Sequence, residues 1–170
     1  LIVWSDYYRH IFIISLMWVI IGSAWNLLAG YTGQVSFGHA IFFGTGAYTA
    51  GLCAHKLGIS AWWGMLLGGP AALLAGLIIG WICFRLRGPY FAWATIAVGE
   101  IFRLVAIDWR SLTEGMEGIL IIQTFRSKLP YYYLVLFLAV CCVLAIHLVL
   151  KSKWGYYFVT IREDQDVAEA

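Results

Sequence analysis

Charge is what this 170-residue chain has least of: Asp, Glu, Lys and Arg make up 12% of it, about half of the roughly 25% usual in soluble domains. None of the four occurs from His10 through His55, from Leu57 through Phe84, or from Leu129 through Leu150. Each gap is long enough for one membrane crossing of about 20 residues, and the first is long enough for two. With 62% hydrophobic residues, the composition excludes an ordinary soluble domain and points to a membrane protein.

Other absences narrow the function. Net charge is only +2 and no basic run occurs, so nucleic acid is not an expected partner. There is no GxxxxGK[ST] phosphate loop around any of Lys56, Lys128, Lys151 or Lys153, so ATP hydrolysis, if the protein uses it, belongs to another chain. No GxSxG, no HExxH and no placed pair of carboxylates suggests catalysis, so no catalytic residue is assigned. Cys53, Cys83, Cys141 and Cys142 all lie in apolar runs without CxxC spacing and read as small packing residues. With His10, His39, His55 and His147 they make no metal-ligand pattern, so neither a metal nor a cofactor is expected.

The charge gaps and the Gly/Pro punctuation predict five membrane helices, over residues 11–29, 35–54, 61–84, 90–107 and 131–150, with 151–170 leaving the membrane. The fold class is therefore an all-α polytopic transmembrane bundle. Barrel strands of about 9–11 residues with alternating polarity are not present. Pro89 and Pro130 fall where helices begin, a position at which a missing N–H costs nothing. Pro70 falls inside the third span and should kink it. The chain opens on Leu1 rather than Met and stops at Ala170 within a helical pattern, so it is expected to be a piece of a longer protein.

The third span carries Gly64, Gly68, Ala72, Gly76 and Gly80, a small residue at every fourth position. Lipid gives little hydrophobic drive for helix association, so close backbone approach over small residues supplies much of it. This ladder is read as helix packing, as is a looser one in the second span, Ala40, Gly44, Ala47 and Gly51.

Only GYTGQ, residues 30–34, separates the first two spans, so the chain must turn within or near the membrane. Irregular backbone at that depth survives only when buried in protein or lining a water-filled cavity. Gly30 and Gly33 allow the turn, while Thr32, Gln34, Ser36 and His39 supply polar groups for the freed backbone or for a solute. The following helix start adds N–H groups that favour a carboxylate. Two readings stay open, a pathway-lining broken helix of the kind that holds small zwitterions, and a plain interhelical turn. Glu100 and Arg103, the only formal charges inside a predicted span, are three apart and can pair across one helix face. A structural ion pair is preferred over a direct role in translocation.

Beyond the last span, Trp154, Tyr157, Phe158 and Ile161 recur at i, i+3, i+4 and i+7, followed by Arg162, Glu163, Asp164, Gln165 and Asp166. Acidic residues this close to the stripe favour a protein groove over a lipid surface. Charge counting leaves the orientation undecided, because five Lys/Arg residues outside the spans fall on each side.

The segments NLLAGYTGQVSFGHAIFFGTGAY (26–48), RLRGPYFAWATIAVGEIFRLV (85–105), LTEGMEGI (112–119) and TIREDQDVAEA (160–170) closely resemble the permease subunits of bacterial ABC importers for branched-chain amino acids. That resemblance implies a partial permease domain over 1–170 in the inner membrane, with residues 151–170 cytoplasmic as the coupling segment. It also implies Arg162, Glu163, Asp164 and Glu169 at the ATPase contact. The implied partners are a second, related permease subunit, two cytoplasmic ATP-binding subunits and a periplasmic or surface-anchored solute-binding protein. Leu, Ile and Val are the expected substrates; urea, short amides and other small polar solutes are carried by related permeases. An ATP-independent channel or carrier, or a non-transporting scaffold, are the competing classes. Residues Tyr156 to Val159 are bulkier than is usual just before the IRED match.

Overall fold

The computed structural model describes residues 5–120 and 127–163, and all its regular elements there are helical. They are α1 (Asp6–Asn26), a π-helical turn (Leu27–Tyr31), α2 (His39–His55), α3 (Ala61–Cys83), α4 (Pro89–Asp108), α5 (Arg110–Thr113), α6 (Leu129–Lys151) and α7 (Lys153–Glu163). Four stretches, Asp6–Tyr31, Trp62–Cys83, Pro89–Asp108 and Leu129–Lys151, are long and apolar enough to cross a membrane. The chain is thus an all-α, multi-pass membrane protein.

The first expected span begins at Asp6, five residues before Ile11, and runs on into the π-helical turn, and the second is shortened. The second starts at His39 rather than Val35, leaving α2 with 17 residues, about 25 Å at ~1.5 Å each and shorter than the other four. Side-chain bonds explain the late start. Phe37 N–H donates to Thr95 Oγ1 at 3.1 Å and Gly38 N–H donates to Ser36 Oγ at 3.2 Å. Hydroxyls that take backbone N–H groups in this way offer the chain an alternative to the helix. Pro89 does open α4, and Pro130 falls in the first turn of α6, whereas Pro70 sits inside α3 without ending it.

The described residues form two units. In the first, residues 5–34 and 127–163, α1 packs along α6 and α7 touches the π-helical turn. The corner from α6 into α7 is made at Ser152, whose backbone is extended at ψ 176°. Ser152 Oγ donates to Val149 O at 2.6 Å and accepts Trp154 N–H at 3.3 Å. Gly155 is buried under this corner, and a Cβ there would run into the Leu150 carbonyl, with its carbon only 2.7 Å away.

In the second unit, residues 35–120, α2 and α3 make the main interface and α4 touches both. A Cβ on Gly64 would fall 2.8 Å from Ala50 O, and one on Gly68 would fall 2.8 Å from Gly46 O. The α3 ladder therefore meets backbone at its first two rungs. Gly76 faces the Phe42 ring at 3.5 Å, and Gly80 faces Phe84, next to its own helix end. On α2, Phe42, Gly46, Ala50 and Cys53 stand against glycines of α3, whereas a Cβ on Gly44 would meet nothing within 4 Å and one on Gly51 would meet Ile119. Ala40 and Gly44 instead border a cavity described below.

Candidate functional site

Two constructions draw together the polar residues of an otherwise apolar chain. The first is the break between α1 and α2. Here α1 passes into a π-helical turn, a local widening often found at functional sites. Thr32 is buried and its hydroxyl donates to Leu28 O at 2.6 Å, closing the turn. Gly33 follows at φ +71°, a left-handed conformation open to glycine at no steric cost.

Arg162, near the end of α7, lies over this turn. Its Nη1 donates to Gly30 O at 3.4 Å, and its Cγ sits 2.8 Å from where a Gly33 Cβ would be. Arg162 also reaches Glu163 Oε1 at 3.5 Å. The sequence offered no signal for this contact, since 132 positions separate Arg162 from Gly30. Asp164 and Glu169, expected beside Arg162 and Glu163, lie outside the described residues. Among the stripe residues, Trp154 and Tyr157 are exposed, with their rings edge to face at 6.1 Å.

The four residues singled out around the break divide between the units: Thr32 and Gln34 belong to the first, Ser36 and His39 to the second. Gln34 is half-buried and Ser36 is buried, while His39 is half-buried with its ring edge against Phe42 at 5.8 Å. Thr95, which no sequence pattern marked, proves central to the second side. It is 2% exposed, accepts Phe37 N–H and donates to Ala92 O at 2.8 Å.

The second construction is a cavity of about 680 Å³ between α2, α4 and α5, within the 300–1,000 Å³ range of about the usual small-molecule sites. Its wall is mainly apolar, with Ile41, Leu52, Ile96 and Phe102 prominent, and Glu100 and Arg103 are its formal charges. Arg103 holds Glu100 by a fork, Nε to Oε2 at 2.9 Å and Nη2 to Oε1 at 2.5 Å. Both side chains remain more than half exposed, at 58% and 53%. A charge at the centre of a membrane helix costs about 2.5–3.5 kcal/mol on insertion scales, a cost that pairing reduces.

The end of the cavity nearer α5 is tied down. Thr113 is buried, with its hydroxyl 2.5 Å from Ala106 O and 2.8 Å from Trp109 O. His55 Nε2 meets Glu114 Oε1 at 2.9 Å, and Lys56 Nζ donates to Ser111 O. These links join the C-terminal end of α2 to α5, at Ser111, and to the LTEGMEGI segment, at Glu114. Among the described residues no three His, Cys, Asp or Glu side chains gather as a metal site.

Apolar helices long enough to span a membrane, a break between α1 and α2 and a charged pair on a cavity wall are features that solute-transport subunits of membranes share. Comparison with known proteins places it further: the family described as "Branched-chain amino acid transport system / permease component" matches residues 7–170, and the chain belongs to that family. It is similar to the high-affinity branched-chain amino acid transport system permease protein LivM of Escherichia coli K12, 33% identical over 106 residues. The corresponding LivM of Salmonella typhimurium LT2 is 33% identical over 105 residues. Each match covers 62% of this chain and 25% of the relative, so the chain spans about a quarter of the length of the relatives it matches. No solved structure matches it.

Proposed function

We propose that the protein is the permease of an ATP-driven importer for leucine, isoleucine and valine, working by alternating access, with α7 as the helix that receives the stroke of a cytoplasmic ATPase. The observation that carries this reading is the seat of Arg162 on the Gly30–Gly33 turn. A segment held by a partner at its acidic end, Glu163 onward, and bonded to the break between two helices can move that break without any intervening lever.

In this reading residues 151–170 face the cytoplasm. Following the helices back from Lys151 puts the break on or near the cytoplasmic side and the α5 loop on the outer side, where a solute-binding protein delivers substrate. A second, related permease subunit completes the pathway. Thr32, Gln34, Ser36 and His39 shape its inner part, Thr32 and Ser36 chiefly by holding the backbone and Gln34 by reaching solute. Family membership supports the substrate class, since the relatives are named for branched-chain amino acid transport.

Purification of the intact protein from its host membrane, with identification of what accompanies it, tests the proposal. A nucleotide-binding subunit is expected in the complex, together with leucine uptake that requires ATP. Uptake by the purified protein alone, without ATP, would rule the proposal out.

A further inference from the structure

We infer that Glu100 and Arg103 are the clamp for the charged end of the transported solute, and that the adjoining apolar cavity takes an aliphatic side chain. The inference rests on the permease reading above and assigns its binding site. The fork between the two side chains uses two of the five guanidinium N–H groups, so Arg103 retains an edge that can receive a second carboxylate. Glu100, a carboxylate with about four lone-pair positions, can accept an ammonium while keeping Arg103. A zwitterionic α-amino acid presents both groups at once. Carboxylate to Arg103 and ammonium to Glu100 gives a closed set of four alternating charges with no net charge added to the membrane interior.

Depth agrees with this role. Glu100 lies eight residues before the end of α4 at Asp108, about 12 Å at ~1.5 Å per residue, and Arg103 about 7.5 Å. The pair therefore sits in the half of the span nearer α5, where a solute arriving from the outer side is first desolvated. The neighbouring wall of Ile41, Leu52, Ile96 and Phe102 accepts a hydrocarbon side chain and offers nothing to a second charge. A neutral amide would leave the cation and the anion of the clamp without their charged counterparts, so the site discriminates against it. The pair lies within a single helix, so it ties no two helices together, and it stands more than half exposed on the cavity wall, where a solute can reach it.

The test uses the complete transport complex in proteoliposomes, with ATP inside the appropriate compartment, saturating binding protein and radiolabelled leucine. Wild-type complex is compared with Arg103→Gln, Glu100→Gln, the doubly neutral pair and the exchanged pair Glu100→Arg/Arg103→Glu. Loss of a hydrogen bond to a charged group corresponds to a fall of about ten- to a hundredfold, and each single variant should lose leucine uptake by that factor. The doubly neutral variant has no unpaired charge to hinder insertion, so it should reach the membrane at wild-type level and still fail to transport. The exchanged pair should likewise insert and bind its ATPase but remain transport-defective, because the charges meet the solute in reverse. Wild-type uptake by the doubly neutral or the exchanged pair would overturn the clamp while leaving the permease reading intact. Absence of ATP-driven leucine uptake by the wild-type complex would overturn that reading and the clamp with it.

Discussion

Arg162 fills the space in which any side chain on Gly33 would have to stand: a Cβ there would come within 2.8 Å of Arg162 Cγ, while Nη1 of the same arginine reaches Gly30 O at 3.4 Å. The contact joins the two most polar features of the first unit, the break after α1 and the end of α7. It also specifies the residue at position 33 twice, by contact and by backbone.

Gly33→Ala should therefore be costly. A left-handed conformation costs a residue with a Cβ roughly 1–2 kcal/mol, and the collision with Arg162 adds to it. Thermal unfolding of the purified protein should show a loss of at least that size. Arg162→Ala in the same chain should recover the steric part and leave the backbone part, a non-additivity that a double-mutant cycle reads directly.

Thr95→Val should destabilise the second unit by about 1–3 kcal/mol, the cost of leaving a buried N–H without its acceptor, here that of Phe37. Thr95→Ser keeps the hydroxyl and should cost less. Proteolysis or hydrogen exchange at residues 35–38 should report the loosened segment in the valine variant alone.

Neighbouring glycines on α3 should behave oppositely. Gly68→Val drives a side chain into Gly46 O and should cost about 1–3 kcal/mol as an overpacked site. Gly69→Ala meets nothing within 4 Å and should be neutral or mildly stabilising. Equal losses in thermal stability for the two would contradict the packing described for α2 against α3.

Gly155→Ala should open the corner between α6 and α7, because its Cβ would overlap the Leu150 carbonyl. On the proposed function, the expected result is a protein that still inserts, since α6 is unaffected, but in whose complex the ATPase activity of the partner subunits no longer responds to substrate. Full coupling in that variant would separate the corner from the stroke.

The helices were legible in the sequence because each is an apolar run bounded by charge or proline, and α3, α4 and α6 fall within two residues of where those runs predict. The start of α2 was not, because it depends on a hydroxyl 58 positions away, Thr95, which takes the N–H that would otherwise have entered a helix. The same limit explains the α2 face against α3. Two small-residue stripes run along α2, and only the partner helix decides that Gly46 and Ala50 pack while Ala40 and Gly44 border the cavity. The pairing of Glu100 with Arg103 was readable from their spacing, but their place on a cavity wall was not, since that wall is completed by α2 and α5. The seat of Arg162 on Gly30 is likewise tertiary, with no local pattern to announce it.

The most direct measurement is ATP-dependent leucine accumulation by the reconstituted complex, made with the wild-type chain and with Glu163→Arg, while the amount of bound ATPase subunit is followed in the same preparations. Accumulation that requires ATP in the wild type, and loss of both the ATPase subunit and the uptake on charge reversal, is the predicted result. Leucine entry without ATP, or unchanged ATPase binding and uptake in the reversed variant, would contradict the account.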